Sequence, residues 1–90
     1  IQRVVATHYD LRVGDLTGPR RPSNIALARQ VAMYLTRHMT KLPLTQIGEE
    51  FGGRDHGTVI HACKSITGRM KEADDFRKSV ESLIARIVEG

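Results

Sequence analysis

The run Gly52-Gly53-Arg54-Asp55 constrains this chain more than any other four residues. Two successive glycines interrupt a helix and supply backbone that turns where other residues would strain. Ahead of them, Leu44-Thr45-Gln46-Ile47-Gly48-Glu49-Glu50-Phe51 sets Leu44, Ile47 and Phe51 at i, i+3 and i+7, the inner side of a short helix. Behind them, a second helix is expected from near Asp55, in which Val59, Cys63, Ile66 and Met70 step by four, three and four. Short helix, glycine turn, second helix is the order of a helix-turn-helix, here spanning about 44–70. In that motif the first helix crosses the DNA backbone and the second sets its N-terminal residues against base edges. Gly48 is small where the two helices are expected to press together, and Gly52 is a natural C-cap.

The rest of the chain supports an all-α reading with five or six helices in one domain over 1–90. Ile1, Val4, Val5 and His8 fall at helical spacing, and Val13 to Leu16 can form one further turn before Thr17-Gly18-Pro19 stops it. A basic loop follows at about 18–22, with Arg20-Arg21 ahead of Pro22. Ser23 or Asn24 is the expected side-chain cap of a helix running to about Met39. Ala28, Val31, Ala32, Leu35 and Met39 form its buried stripe, and Arg29, Gln30 and Arg37 fall off it, the two arginines reading as one phosphate-facing side. Phe76, Val80, Leu83, Ile84 and Ile87 mark a support helix over about 75–89, whose Asp74 and Asp75 suit a helix N-terminus.

Charge locates the expected partner. The net charge is +4 over 90 residues. Residues 17–71 hold nine basic residues against three acidic ones, a net of +6, whereas residues 72–90 hold three against five, a net of −2. An anionic partner should therefore dock on the middle of the chain. The aromatic share is 4%, which disfavours binding of single strands by base stacking. The single cysteine, Cys63, excludes an internal disulfide, and no apolar run approaches the roughly twenty residues of a membrane span. A reducing, cytoplasmic setting at the nucleoid is expected, with membrane contact disfavoured. The chain starts at Ile1, without a methionine, and enters a helical pattern at once, as expected of a domain of something longer.

No enzyme chemistry is visible. Gly52-Gly53-Arg54-Asp55 lacks the Gly-Lys-Ser/Thr end of a phosphate loop, and no strand precedes it. His56, His61 and Cys63 do not converge as zinc ligands must, since 56 and 61 leave one helix face and Cys63 belongs to the buried stripe. No cofactor and no metal are expected. Read as a DNA surface, Thr58 can bond a phosphate or base edge and His56 can donate from one ring nitrogen and accept at the other. Asp55 can accept from a cytosine amino group or cap its own helix, and both remain open.

Gly-Gly-Arg-Asp-His-Gly-Thr-Val-Ile-His-Ala, residues 52–62, closely resembles the signature G-G-R-D-H-[T/S]-T-V-[I/L]-H-A of the C-terminal DNA-binding domain of the bacterial DnaA replication initiator family. The likeness extends through Arg29-Gln30-Val31-Ala32-Met33-Tyr34-Leu35, Leu44 to Phe51 and Arg20-Arg21, and is weakest after Met70. It implies a Trp-repressor-like helix-turn-helix that binds double-stranded DNA as a monomer, one domain per asymmetric box of the TTATNCACA type at a replication origin. Arg21 then matches the minor-groove arginine, and Asp55, His56 and Thr58 match major-groove or adjacent phosphate contacts, with Gly57 assigned to base reading beside them. Arg29, Gln30, Arg37, Leu44 and Thr45 fall at backbone-contacting positions, and Arg20, Arg54, His61 and Lys64 are assigned with them. ATP binding and strand opening belong to another part of such proteins.

Gly57 departs from the family's Thr or Ser, and Ala28 and Thr45 each replace a frequent proline. A threonine at 57 can offer a methyl to thymine and a hydroxyl to the bases, so glycine there implies altered discrimination at one base. Other functions fit the same charge: a divergent transcriptional regulator with a different site, a dimeric repressor on a palindrome, or a basic module for an acidic protein or an anionic membrane surface. A regulatory protein could also occupy the DNA-binding face. On the DNA reading, Arg29 and Arg37 should each contribute about one unit of salt slope.

Overall fold

A computed structural model of the chain describes residues 1–19 and 22–90. The described residues form six helices, α1 (Gln2–His8), α2 (Val13–Thr17), α3 (Ser23–Met39), α4 (Leu44–Glu50), α5 (His56–Glu72) and α6 (Asp74–Glu89). There is no strand among the described residues. Every helix contributes to one buried cluster, from Val5 on α1 and Leu16 on α2 to Val80 and Leu83 on α6. No helix is long and apolar enough to cross a membrane.

The third helix is the pillar. It touches α1, α2, α4 and α5, and its contact with α5 is the most extensive between any two helices. A helix packed on so many sides needs more than one buried stripe. The expected stripe is there, with Ala28, Val31, Ala32 and Leu35 fully buried and Met39 partly so. A second one runs beside it, Ile25, Arg29, Met33 and Thr36, at i, i+4, i+8 and i+11. Thr36 meets its burial by donating to the Ala32 carbonyl at 2.8 Å. Entry into α3 differs from expectation. Pro22, at φ −53°, is the N-cap, and neither Ser23 nor Asn24 makes a capping bond. The helix begins one residue earlier than a Ser23 cap would allow, because proline fixes the φ that starts it. The Pro22 carbonyl accepts from Ile25 at 3.0 Å and Ala26 at 2.9 Å.

Between α4 and α5 the chain folds onto itself through backbone. Gly52 stands at φ +84°, where a Cβ would also lie 1.9 Å from the Thr17 carbonyl oxygen. A Cβ on Gly48 would lie 1.9 Å from the Arg54 carbonyl oxygen. The neighbour that requires glycine at 48 is therefore the turn, and not a facing helix as the sequence suggested. The Gly48 carbonyl accepts from Arg54 at 2.9 Å, so the turn is bonded as well as packed. Phe51, fully buried, closes the same corner from inside.

The outer helices seal the remaining faces. On α1, Val5 and Ala6 point inward, whereas His8 is exposed and reaches Ser79 Oγ on α6 at 3.1 Å. On α6, Val80 and Leu83 are buried, and Phe76, Ile84 and Ile87 pack at the margin of the core.

Candidate nucleic-acid interface

The N-terminal turn of α5 stands clear of the core. Asp55, His56, Gly57 and Thr58 are all exposed, and Val59 is the first residue of the helix to be buried. Asp55 is the N-cap: its Oδ1 accepts from the Thr58 amide at 2.8 Å and from Thr58 Oγ1 at 3.0 Å. These bonds hold its carboxyl below the ordinary aspartate range, the amide bond first, with the nearby His56 adding in the same direction. Of the two roles open to Asp55, capping is the one the structure displays. The Thr58 hydroxyl proton is directed at Asp55, which leaves its lone pairs and methyl group for a partner. A Cβ on Gly57 would meet nothing closer than Asp55 Oδ1, at 3.4 Å.

Further along α5, His61 and Lys64 continue the exposed line at i+4 and i+7 from Gly57, while Ala62 and Cys63 turn into the core. Burial pushes the Cys63 thiol up, and the charge of Arg37 works against that shift. Gln30, Ala26, Thr58 and His61 border one shallow recess of about 110 Å³. Gln30 and Arg37 are seven residues apart and share a side of α3. Arg37, Lys41 and Lys64 are exposed, and none has a carboxylate partner among the described residues. Leu44 and Thr45 open α4 behind Pro43, where the first backbone N–H groups lack intrahelical acceptors.

Two arginines expected at phosphates are turned the other way. Arg29 is only 7% exposed. Its Nε donates to the Leu16 carbonyl at 2.8 Å, and its Nη2 to the Asp15 and Gly18 carbonyls at 2.9 and 3.0 Å. The surface placement expected for it fails on helix geometry: eight residues advance a helix by about 80° beyond whole turns, enough to carry Arg37 to solvent and Arg29 against α2. Arg54 is half-buried, donating through Nη2 to the Gly18 carbonyl at 2.7 Å and through Nη1 to the Phe51 carbonyl. Burial first, and the neighbouring Arg54 charge second, lower the Arg29 pKa from its ordinary value.

A family model described as the bacterial dnaA protein helix-turn-helix matches residues 1–66. The chain belongs to that family. The DnaA match covers α1 to α4 and α5 as far as Ile66, a core residue of that helix. The chromosomal replication initiator protein DnaA of Symbiobacterium thermophilum is 49% identical over 87 residues, 97% of this chain. That of Bifidobacterium animalis subsp. lactis is 48% identical over 83 residues, 92% of this chain. The chain spans 19% and 14% of the length of these two DnaA proteins.

Against the residues expected to form the DnaA site, the structure brings Gln30, Thr58 and His61 to one recess and keeps Asp55, His56, Gly57 and Lys64 on the same exposed helix. Arg29 and Arg54 also line that recess, Arg29 with only 7% of its surface exposed and both with guanidinium bonds to backbone carbonyls. Arg20 and Arg21 lie outside the described residues. Ala26 borders the same recess, and Thr17 and Pro19 border a neighbouring hollow that shares Arg29, Arg54 and Thr58 with it; none of the three was expected there, because small uncharged residues carry no sequence signal for an anionic partner.

Proposed function

We propose that this domain binds double-stranded DNA in a sequence-specific manner, as a monomer on a short asymmetric box of the TTATNCACA type, and serves replication initiation at a chromosomal origin. The observation that carries this reading is the exposed N-terminal turn of α5, Asp55 to Thr58, projecting from a helix whose opposite side is locked in the core. A helix held in that way can present a fixed set of side chains to a major groove about 12 Å wide. His56 and Thr58 are the base readers on this proposal, with Asp55 ordering the turn and its Oδ2 able to accept from a cytosine amino group. Gln30, Arg37, His61 and Lys64 contact phosphates, with Leu44 and Thr45 doing so through the start of α4. Arg21, with Arg20 beside it, enters the minor groove, where negative potential favours a guanidinium. Membership of the DnaA helix-turn-helix family and the relatives' name of chromosomal replication initiator support the origin assignment.

Fluorescence anisotropy with a labelled duplex carrying TTATCCACA, competed by a scrambled duplex at near-physiological salt, tests the proposal. A preference for the box of about a hundredfold or more is expected. Equal affinity for the two duplexes would defeat the specific reading.

A further inference from the structure

The last carbonyls of α2 are taken by side chains from two other elements. A helix leaves those groups without intrahelical donors, and cationic side chains can supply them. Arg29 of α3 donates to the Asp15 carbonyl at 2.9 Å, the Leu16 carbonyl at 2.8 Å and the Gly18 carbonyl at 3.0 Å. Arg54, from the α4–α5 turn, donates through Nη2 to the same Gly18 carbonyl at 2.7 Å, with a longer approach to Thr17 at 3.5 Å. The other arm of its fork, Nη1, donates to the Phe51 carbonyl on its own turn. Its backbone amide donates to the Gly48 carbonyl of α4 at 2.9 Å. One planar group thus ties the α4–α5 turn to the end of α2. Gly52 lies against that end by backbone, since a Cβ there would overlap the Thr17 carbonyl. The residue after Arg54 is Asp55, the N-cap of α5, which orders Thr58.

We propose that Arg54 is a positioning residue: by joining the Phe51 and Gly18 carbonyls through one guanidinium, it fixes where Asp55 starts α5, and so sets how His56 and Thr58 meet a base pair. This rests on the DNA-binding reading above and assigns Arg54 to no phosphate. Arg29 supports the brace from below, by holding the end of α2 against α3. A lysine at position 54 keeps the charge but has no fork with which to span the two carbonyls. Charge and geometry are therefore separable.

The test uses the 90-residue chain with Arg54→Lys and Arg54→Gln, each checked for its helical content by circular dichroism. Amide hydrogen exchange is read without DNA at Gly18, whose N–H donates to Gly14, and at Val59, whose N–H donates to Asp55. Protection at both should fall by about tenfold or more in each variant, while Val80 and Leu83 on α6 are unchanged. Unaltered protection at Gly18 and Val59 would overturn the brace. In both variants the preference for the TTATCCACA duplex should drop by about tenfold or more, while affinity for the scrambled duplex stays within about threefold and the salt slope holds. An equal loss on both duplexes would make Arg54 a residue of stability alone and overturn the proposal. A slope flattened by about one unit in Arg54→Gln and restored in Arg54→Lys would make it a phosphate contact, and overturn the proposal as well. If the native chain shows no box preference at all, the DNA reading falls, and the exchange result alone decides whether Arg54 braces the start of α5.

Discussion

At position 57 a single missing side chain separates two effects that are usually merged. A Cβ there has room, with Asp55 Oδ1 at 3.4 Å as its nearest neighbour. Gly57→Ala should therefore raise stability by up to about 1 kcal/mol, from helix propensity alone, and leave box preference unchanged. Gly57→Thr should tighten binding to the family box, as competition anisotropy would record; unchanged or weaker binding would sink that expectation. The neighbouring cap gives a pH dependence of known sign. Because the Asp55 carboxyl is held below its ordinary value, chiefly by the Thr58 amide, its contribution is complete above the usual aspartate range and disappears as the pH falls through the lowered value. The melting temperature of the native chain relative to Asp55→Asn should therefore be higher at pH 7 than at pH 3, by thermal melts at the two pH values. Arg29 reverses an expectation altogether. Arg29→Ala strips donors from three carbonyls and should cost about 2–4 kcal/mol in urea unfolding. Its effect on salt slope should be small beside that of Arg37→Ala. Sequence could not separate these two arginines, because a charged residue just off a hydrophobic stripe reads as solvated unless the helices packed around it are known.

The helix-turn-helix was legible as an element because its signals are local. Leu44, Ile47 and Phe51 at helical spacing, two glycines, and a capping aspartate suffice to place α4 (Leu44–Glu50) and α5 (His56–Glu72) within two residues of expectation. What those glycines are for was only half legible. Gly52 has the left-handed backbone its C-cap position suggested, at φ +84°. Its close approach to Thr17 could not be foreseen, since it joins residues 35 positions apart. Gly48 likewise answers to the carbonyl of Arg54 and not to a neighbouring helix. Gly52→Ala combines a forbidden contact with a disfavoured φ, so it should cost at least about 2 kcal/mol and lower the urea midpoint accordingly. The second buried stripe of α3 escaped notice for a related reason. It contains an arginine and a threonine, and its burial follows from being surrounded, which no single helix reveals.

Across the whole molecule, the charge map and the structure agree on where the field lies. Arg37, Lys41 and Lys64 are exposed without carboxylate partners among the described residues, whereas on α6 Arg77 pairs with Asp74 at 3.7 Å and Glu81 at 3.3 Å. Arg37→Ala and Lys64→Ala should each flatten the dependence of log affinity on log salt by about one unit, and weaken box and scrambled duplexes alike. If either changed box preference instead, the division between positioning and reading residues would be wrong. The backbone contacts at Gly48 and Gly52 carry one more consequence. They set the α4–α5 turn backbone directly against the Thr17 and Arg54 carbonyls, with no side chain between. A surface anchored through backbone in this way should lose little conformational freedom on association and adapt little to an imperfect site. On the DNA-binding proposal the mechanical work of fitting would then fall on the duplex, and base pairs that nothing touches should matter through how readily they bend.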